Sequence, residues 1–262
     1  MIASLPQGAF PFPILYYHRV APGVDPRTGV TPEIFRRQME TLASLGYRGV
    51  SLFEALSLAG SERSGAGPRP VVLTFDDGYL DNYEYAAPIL LDRGFRATIY
   101  FVAGKMGGRV DWTIDPLWGG HSLMEPAKAR ELVALGFEAG SHTLTHPDLS
   151  RLPEEEARQE IAQSRPRLSE LLSTPITTFC YPYGSFLPRH AVLVREAGYR
   201  AARTVRHYRL GQPEDLMTLA CRPISGRMSL ERFSLTLAAY RILFPLKNTW
   251  GNGRAGKRGG RP

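Results

Sequence analysis

Short apolar runs alternate with helical patterns along the whole of this 262-residue chain. The runs at 14–17, 71–75 and 97–102 are typical of buried strands, and stretches with helical spacing and capping signals separate them. This alternation predicts parallel strands covered by helices, in either a barrel or an open sheet. In both architectures, functional side chains collect at the carboxyl ends of the strands.

Polar clusters follow four of the predicted strands: His18, Asp76 with Asp77, His142 with His146, and the turn Tyr181-Pro182-Tyr183-Gly184. Adjacent carboxylates at a strand end lose solvation unless a cation binds or pairs with them. Asp, His and His form a three-ligand metal set that leaves a coordination position open for water or substrate. Since neighbouring strand residues point to opposite sides, one aspartate can bind the metal while the other faces the reacting water.

Each cluster also has a plainer interpretation. Asp-Asp-Gly and Tyr-Pro-Tyr-Gly are common turn sequences, and two histidines four residues apart are a weak signal alone. The position of His18 is equally consistent with a histidine that is packed beneath a loop and has no catalytic role. An imidazole at a strand end can also act as a general acid near neutral pH. We favour a site because four polar clusters then share one edge of the fold.

The formal net charge of +7 is unevenly distributed. Removing the five basic residues in or beside the C-terminal tail leaves a charge of about +2 (7 minus 5) on the body. We therefore predict a single domain over residues 1–245 and a basic, disordered tail over 246–262.

No nucleic-acid partner is expected. A last amphipathic helix near 230–243 packs on the barrel or, with the tail, contacts a membrane peripherally.

No apolar stretch is long enough to span a membrane, and the first residues lack a secretory signal. These features favour a cytoplasmic location, peripheral to a membrane if the tail binds anionic lipid. Cys180 and Cys221 are too few for a disulfide framework and read as small buried side chains. The oligomeric state is not readable from the sequence.

Three motifs resemble those of the polysaccharide deacetylase family, the metal-dependent carbohydrate esterases with a NodB-type domain. They are TFDDGY at 74–79, SHTLTH at 141–146 and FCYPYG at 179–184. The segments PILYYHRV at 13–20 and FRRQMETLASLGYRGVSL at 35–52 also fit. The chain further resembles the branch in which the acid-bearing motif is permuted to the N-terminus, as in the biofilm poly-N-acetylglucosamine deacetylases.

The resemblance implies a distorted (β/α) barrel with about seven mostly parallel strands, and removal of acetyl groups from an N-acetylated sugar. It also implies the roles of individual residues. Asp76 would be the general base, and Asp77, His142 and His146 would bind the metal. The Tyr183 N–H would stabilise the oxyanion, and His18 would protonate the leaving amine.

One family position departs from the pattern. Many members carry an arginine that orients the base before the Pro-Tyr-Gly turn, where this chain has Cys180. Arg222 on a later predicted strand is one candidate to replace it, and a surface position for Arg222 is the equal alternative. Asp25 and Asp115 are two candidates for the carboxylate that orients His18.

These observations predict a hydrolase with a divalent metal, zinc first and cobalt, nickel or iron as alternatives by ligand type. The expected partner is an acetylated glycan in a polymer, oligomer or lipid-linked form. The residues expected to contact the sugar are Tyr181, Pro182, Tyr183, Trp112 and Trp118. An O-acetyl esterase or another amidohydrolase uses the same parts, and a catalytically inactive carbohydrate-binding barrel is the alternative from another class.

Overall fold

A computed structural model describes residues 10–59, 67–205 and 215–243. The strands are β1 Ile14–Tyr17, β2 Arg19–Val20, β3 Gly29–Val30, β4 Tyr47–Val50, β5 Arg69–Phe75, β6 Thr98–Phe101, β7 Glu138–Ser141, β8 Thr178–Cys180, β9 Ala201–Arg203 and β10 Arg222–Pro223. The helices are α1 Pro32–Ser44, α2 Leu52–Ala59, α3 Ala87–Leu91, α4 Pro126–Ala134, α5 Glu154–Leu172, α6 Pro188–Glu196 and α7 Leu230–Leu243.

One curled parallel sheet organises the fold, with strand order β10-β1-β5-β6-β7-β8-β9. Strand β4 joins it beside the first half of β5, and β6 continues along the second half. All of these pairings are parallel, as expected for strands connected by helices. The sheet forms a half-barrel with helices on its outer side, which confirms the predicted distorted (β/α) barrel.

Helix α1 shows why the predicted helices form. Thr31 caps its N-terminus by accepting a hydrogen bond from the Ile34 N–H at 3.4 Å, and Pro32 occupies the first turn. Phe35 and Met39, four residues apart on one face, are fully buried against the sheet. The start of this helix matches the prediction from sequence.

Three predicted elements differ from the structure. The helix expected near 80–93 is divided into a π-helical turn, Asn82–Ala86, and the short α3. Pro88 lies at the start of α3, where its missing N–H removes no hydrogen bond, and this favours a new helix start there. The strands expected near 199–205 and 219–224 are shorter, at three and two residues.

Helix α7 packs on the half-barrel beside α1. Phe233 and Leu237 are fully buried, and the Tyr47 hydroxyl donates a hydrogen bond to the Leu237 carbonyl at 2.9 Å. The apolar face of α7 is therefore turned toward the core. Among the described residues, no helix is long and apolar enough to cross a bilayer. The predicted tail at 246–262 lies outside the described residues.

Candidate active site

The turn after β5 separates the two aspartates. Strand pairing continues as far as the Asp76 N–H, which donates to the Tyr17 carbonyl at 3.0 Å. Asp77 and Gly78 then adopt left-handed backbone conformations with φ of 71° and 73°. A Cβ on Gly78 would lie 2.6 Å from a ring atom of Phe101, so this position requires glycine. A non-glycine residue in the left-handed region costs about 1–2 kcal/mol, and such strain is concentrated at functional sites.

The carboxylate of Asp77 meets two imidazoles. Its Oδ1 lies 3.4 Å from His142 Nε2 and 3.3 Å from His146 Nε2, and all three side chains are buried. Tetrahedral coordination with bonds of about 2.0–2.1 Å sets ligand atoms about 3.3–3.4 Å apart. Both separations match that spacing and exceed an ordinary charge-assisted hydrogen bond. The structure therefore holds a candidate metal site at Asp77, His142 and His146.

A backbone carbonyl fixes the orientation of His142. Its Nδ1 lies 2.8 Å from the Cys180 carbonyl, so Nδ1 carries the proton and donates it. The lone pair of Nε2 is thereby left to face Asp77. Histidines that bind metals are oriented in this way, by a hydrogen bond from the other ring nitrogen.

The loop that carries the two histidines is held in a strained conformation. Thr143 and His146 have φ of 67° and 69°. The Thr143 hydroxyl accepts a hydrogen bond from the His146 N–H at 3.0 Å. The Glu160 carboxylate on α5 accepts from the N–H groups of Leu144 and Thr145, both at 2.9 Å. These bonds keep both imidazoles on one side of the loop.

The charges of the ligand set suit a cation. Burial acts to raise the pKa of Asp77, but the imidazoles of His142 and His146 beside it hold that pKa well below the ordinary value. Burial lowers the pKa of His146. At neutral pH the group therefore presents a carboxylate and a neutral His146 ring, the protonation states that metal binding requires.

Asp76 has a different environment. Its Oδ1 forms an ion pair with the guanidinium of Arg203 on β9, and its Oδ2 lies 3.9 Å from His18 Nε2. Both Asp76 and Arg203 are buried. The expectation for Arg222 is therefore corrected, because Arg222 lies on β10 beside Leu15 of β1 and the arginine that contacts Asp76 is Arg203.

Arg203 is the residue that the sequence analysis missed. A signal was available, because an arginine inside the run Ala201-Ala202-Arg203 interrupts an otherwise apolar strand. Arginine is almost never fully buried without a partner, so an arginine at this position predicts a buried carboxylate nearby. The sequence alone does not show which carboxylate lies opposite.

His18 lies at the end of β1 between aromatic side chains. Its ring centroid is 4.9 Å from Trp118 and 5.6 Å from Tyr16. Burial lowers the pKa of His18 to about 4, so the imidazole is neutral at neutral pH. The proposed orienting carboxylates are engaged elsewhere. Asp25 pairs with its neighbour Arg27, and Asp115 accepts from a backbone N–H of its own turn.

The turn after β8 presents a main-chain donor. Tyr183 has φ of 56° and Gly184 has φ of 65°, where a Cβ would lie 2.1 Å from the Val205 side chain. The turn is closed by Gly184 N–H to the Tyr181 carbonyl at 2.9 Å and Ser185 N–H to the Pro182 carbonyl at 3.0 Å. Within the described residues, no acceptor binds the Tyr183 N–H. A free N–H at a tight turn is suited to stabilise an oxyanion.

Aromatic rings surround the candidate metal site. Trp112 stacks on His146 at 4.5 Å with an interplanar angle of 27°, and Tyr183 meets the same ring edge-on at 4.8 Å. Trp118 packs edge-on against His18 at 4.9 Å. Of these rings Tyr183 is the most open, at 53% exposed. Trp112, Trp118 and Tyr183 therefore form a rim that a sugar ring can contact.

Two expected sugar contacts are corrected. Tyr181 is fully buried, its hydroxyl donates to the Met217 carbonyl at 3.0 Å, and its ring stacks on Phe186. Pro182 is also buried. Both residues shape the turn from below and present no surface to a substrate.

Comparisons with known proteins give the family of the chain. A family model described as polysaccharide deacetylase matches residues 63–202. YxkH of Bacillus subtilis (strain 168), which carries the name of a polysaccharide deacetylase, is 28% identical over 221 residues, 84% of this chain and 74% of that protein. A chitooligosaccharide deacetylase of Bradyrhizobium sp. (strain ANU 289) is 32% identical over 99 residues, 37% of each protein.

Solved structures show the same architecture. IcaB from Ammonifex degensii superimposes with a TM-score of 0.71 at 27% identity, over 90% of this chain and 98% of its own. The Streptococcus pyogenes deacetylase PplD, solved in complex with acetate, gives a TM-score of 0.72 at 24% identity, over 86% and 97%. The family model covers more than half of the sequence and contains the Asp76–Asp77 and His142–His146 motifs. The chain therefore belongs to the polysaccharide deacetylase family.

Proposed function

We propose that this protein is a metal-dependent hydrolase that removes N-acetyl groups from an acetamido sugar in a polysaccharide, an oligosaccharide or a lipid-linked glycan. The observation that carries the proposal is the buried group Asp77, His142 and His146, with Asp76 and His18 next to it, 3.9 Å apart. Family membership supports deacetylation, and relatives named as chitooligosaccharide deacetylases support a sugar substrate.

The donor set of one carboxylate oxygen and two imidazole nitrogens fits zinc, and also cobalt, nickel or iron. We take zinc as the first candidate. When bound, such a cation polarises the acetyl carbonyl and lowers the pKa of a water toward neutrality. Asp77 Oδ1 is a buried oxygen to which no hydrogen bond is donated within the described residues, which supports its assignment as a ligand.

The remaining side chains supply the proton transfers. Asp76 accepts a proton from the attacking water through Oδ2, the oxygen that faces His18. The Tyr183 N–H donates to the oxygen that becomes negative in the tetrahedral state, and removing one such donor typically lowers the rate by about 10²–10³. The leaving nitrogen needs a proton, and His18 supplies it.

The low pKa of His18 defines where that proton comes from. Because the pKa is lowered to about 4, the resting imidazole is neutral and holds no spare proton at pH 7. The proton that water gives to Asp76 is therefore the one that reaches the amine by way of His18. One proton leaves the water and one arrives at the nitrogen, so the cycle ends with acetic acid, a free amine and the original protonation states of Asp76 and His18. The acetic acid then loses its remaining acidic proton to the solvent and is released as acetate.

The aromatic rim gives a reason for a sugar substrate. Trp112 and Tyr183 contact the ring of His146 and Trp118 contacts the ring of His18, so aromatic rings lie beside both the candidate metal site and the proposed acid. The apolar face of a pyranose can stack on such rings while its hydroxyl groups stay in water. The acetamido group of the substrate would then lie between the rings of this rim, next to the candidate metal site.

The test is release of acetate and free amine from N-acetylglucosamine oligomers of β-1,4 and β-1,6 linkage, with the protein loaded with zinc or cobalt. We expect stoichiometric acetate and amine with at least one linkage, and loss of both products in Asp76→Asn. Release from O-acetylated sugars alone would identify an esterase instead. Binding of the oligomers without any product would identify an inactive carbohydrate-binding barrel.

A further inference from the structure

The ion pair of Arg203 with Asp76 lies inside the half-barrel, below the candidate active site. The guanidinium lies over the ring of Tyr16 at 4.7 Å and over the ring of Tyr100 at 5.1 Å. Its Nη1 also lies 3.8 Å from the sulfur of Cys221. A fully buried guanidinium in contact with two aromatic rings has little freedom to move, so a carboxylate can be aligned against it.

The register of the strand pairing explains why Arg203 faces Asp76. Cys180 on β8 and Arg203 on β9 are Cα partners in the parallel pair, so both lie at the same level of the sheet. The sulfur of Cys180 lies within 4.8 Å of a carboxylate oxygen of Asp76. Two neighbouring positions therefore reach the same carboxylate, one with a guanidinium and one with a thiol.

We propose that Arg203 is the positioning residue for Asp76 and supplies, from β9, the guanidinium that the cysteine at position 180 cannot. The proposal rests on the proposed role of Asp76 as the base. Arg203 holds Oδ1, and this directs Oδ2 toward His18 and the reacting water. A purely stabilising role explains the pair poorly, because a buried ion pair often adds no net stability over an apolar pair of the same size.

The first experiment replaces Arg203 with Met, which keeps length without charge, and with Lys, which keeps the charge without the planar fork. We expect R203M to lower kcat by about 10²-fold, the size of effect that a misplaced catalytic group produces, and R203K to recover part of it. KM should stay near the wild-type value because Arg203 does not line the rim.

A matched control separates this effect from lost stability. Arg165 is another partly buried arginine, whose Nε donates to the Ile176 carbonyl at 3.0 Å and whose Nη1 donates to the Ala197 carbonyl at 3.1 Å, away from Asp76. R165M should lower the thermal midpoint but leave kcat per metal-loaded protein unchanged. Metal stoichiometry is measured for every variant, so loss of the metal site is not mistaken for loss of positioning.

Two double variants test action through Asp76. If Arg203 acts only through that carboxylate, D76N/R203M should be no slower than D76N alone. The transplant variant C180R/R203A returns a guanidinium from the partner position on β8, and we expect it to regain most of the kcat lost in R203A. It also decides the question if R203M does not fold, because it keeps one buried cation beside Asp76.

The outcomes distinguish the inference from the proposed function. Full activity in D76N would overturn the role of Asp76 itself. An inactive D76N together with wild-type kcat in R203M would leave Asp76 as the base and overturn only the role of Arg203. A folded, metal-loaded C180R/R203A with no more activity than R203A would also overturn it.

Discussion

Replacing His18 with alanine should separate amide cleavage from ester cleavage. An amine leaves only after it is protonated, whereas a nitrophenolate leaves without a proton. His18 Nε2 lies 3.9 Å from Asp76 Oδ2, within reach of a shared proton, and its flanking rings Tyr16 and Trp118 carry no acid of comparable strength. Loss of a general acid typically lowers a rate by about 10²–10⁴, and this is the expected loss for an N-acetyl sugar.

The assay compares kcat of H18A for an N-acetylglucosamine oligomer and for nitrophenyl acetate in the same metal-loaded preparation. Ester cleavage should stay within about tenfold of wild type, since that reaction keeps Asp76 and the oxyanion donor and needs no acid. H190A is the control, because His190 is buried outside the site, where its Nδ1 accepts from the Leu187 N–H at 3.1 Å. Equal losses for amide and ester in H18A would refute the assignment of His18 as the acid.

Three other changes have defined outcomes. In G184A the new Cβ would lie 2.1 Å from a Val205 methyl at φ +65°, and it should displace the Tyr183 N–H and lower kcat by up to about 10²–10³. The control G198A, at φ +85° and outside the site, should keep the wild-type kcat. Equal kcat values for G184A and G198A would count against Tyr183 as the oxyanion donor. W112A should raise KM more for an oligosaccharide than for a monosaccharide, and a uniform rise would remove Trp112 from the sugar rim. The free energy of unfolding of the metal-free protein should fall as pH drops from about 6.5 to about 4. In this range His18 binds a proton in the unfolded chain but not in the folded protein, where its pKa is lowered to about 4. That slope should be flatter in H18Q, measured by chemical denaturation, and identical slopes would contradict the lowered pKa.

The sequence was sufficient for the parts of the site that follow from local pattern. Asp76 and Asp77 come directly after β5, His142 comes directly after β7, and His146 lies four residues further along. Parallel strands bring these carboxyl ends to one edge of the sheet. The strain that separates the two aspartates was partly readable, because Gly78 follows them in a turn. The barrel class followed from the alternation of strands and helices.

Contacts between strands distant in sequence were not readable. The prediction for Arg222 failed because the choice between two late strands depends on register, and only the pairing of Cys180 with Arg203 brings a guanidinium to Asp76. The prediction for Tyr181 failed because a turn sequence does not show which aromatic ring faces inward. Tyr181 packs on Phe186, while Tyr183, two residues later, is exposed.

We propose that hydrolysis requires one cation, bound by Asp77, His142 and His146. The most direct measurement is acetate release from an N-acetylglucosamine oligomer as zinc or cobalt is added in steps to the metal-free protein. We expect no release without metal and a linear rise in acetate release that ends at one equivalent of metal per chain. Release at the full rate from protein proven free of metal would contradict it.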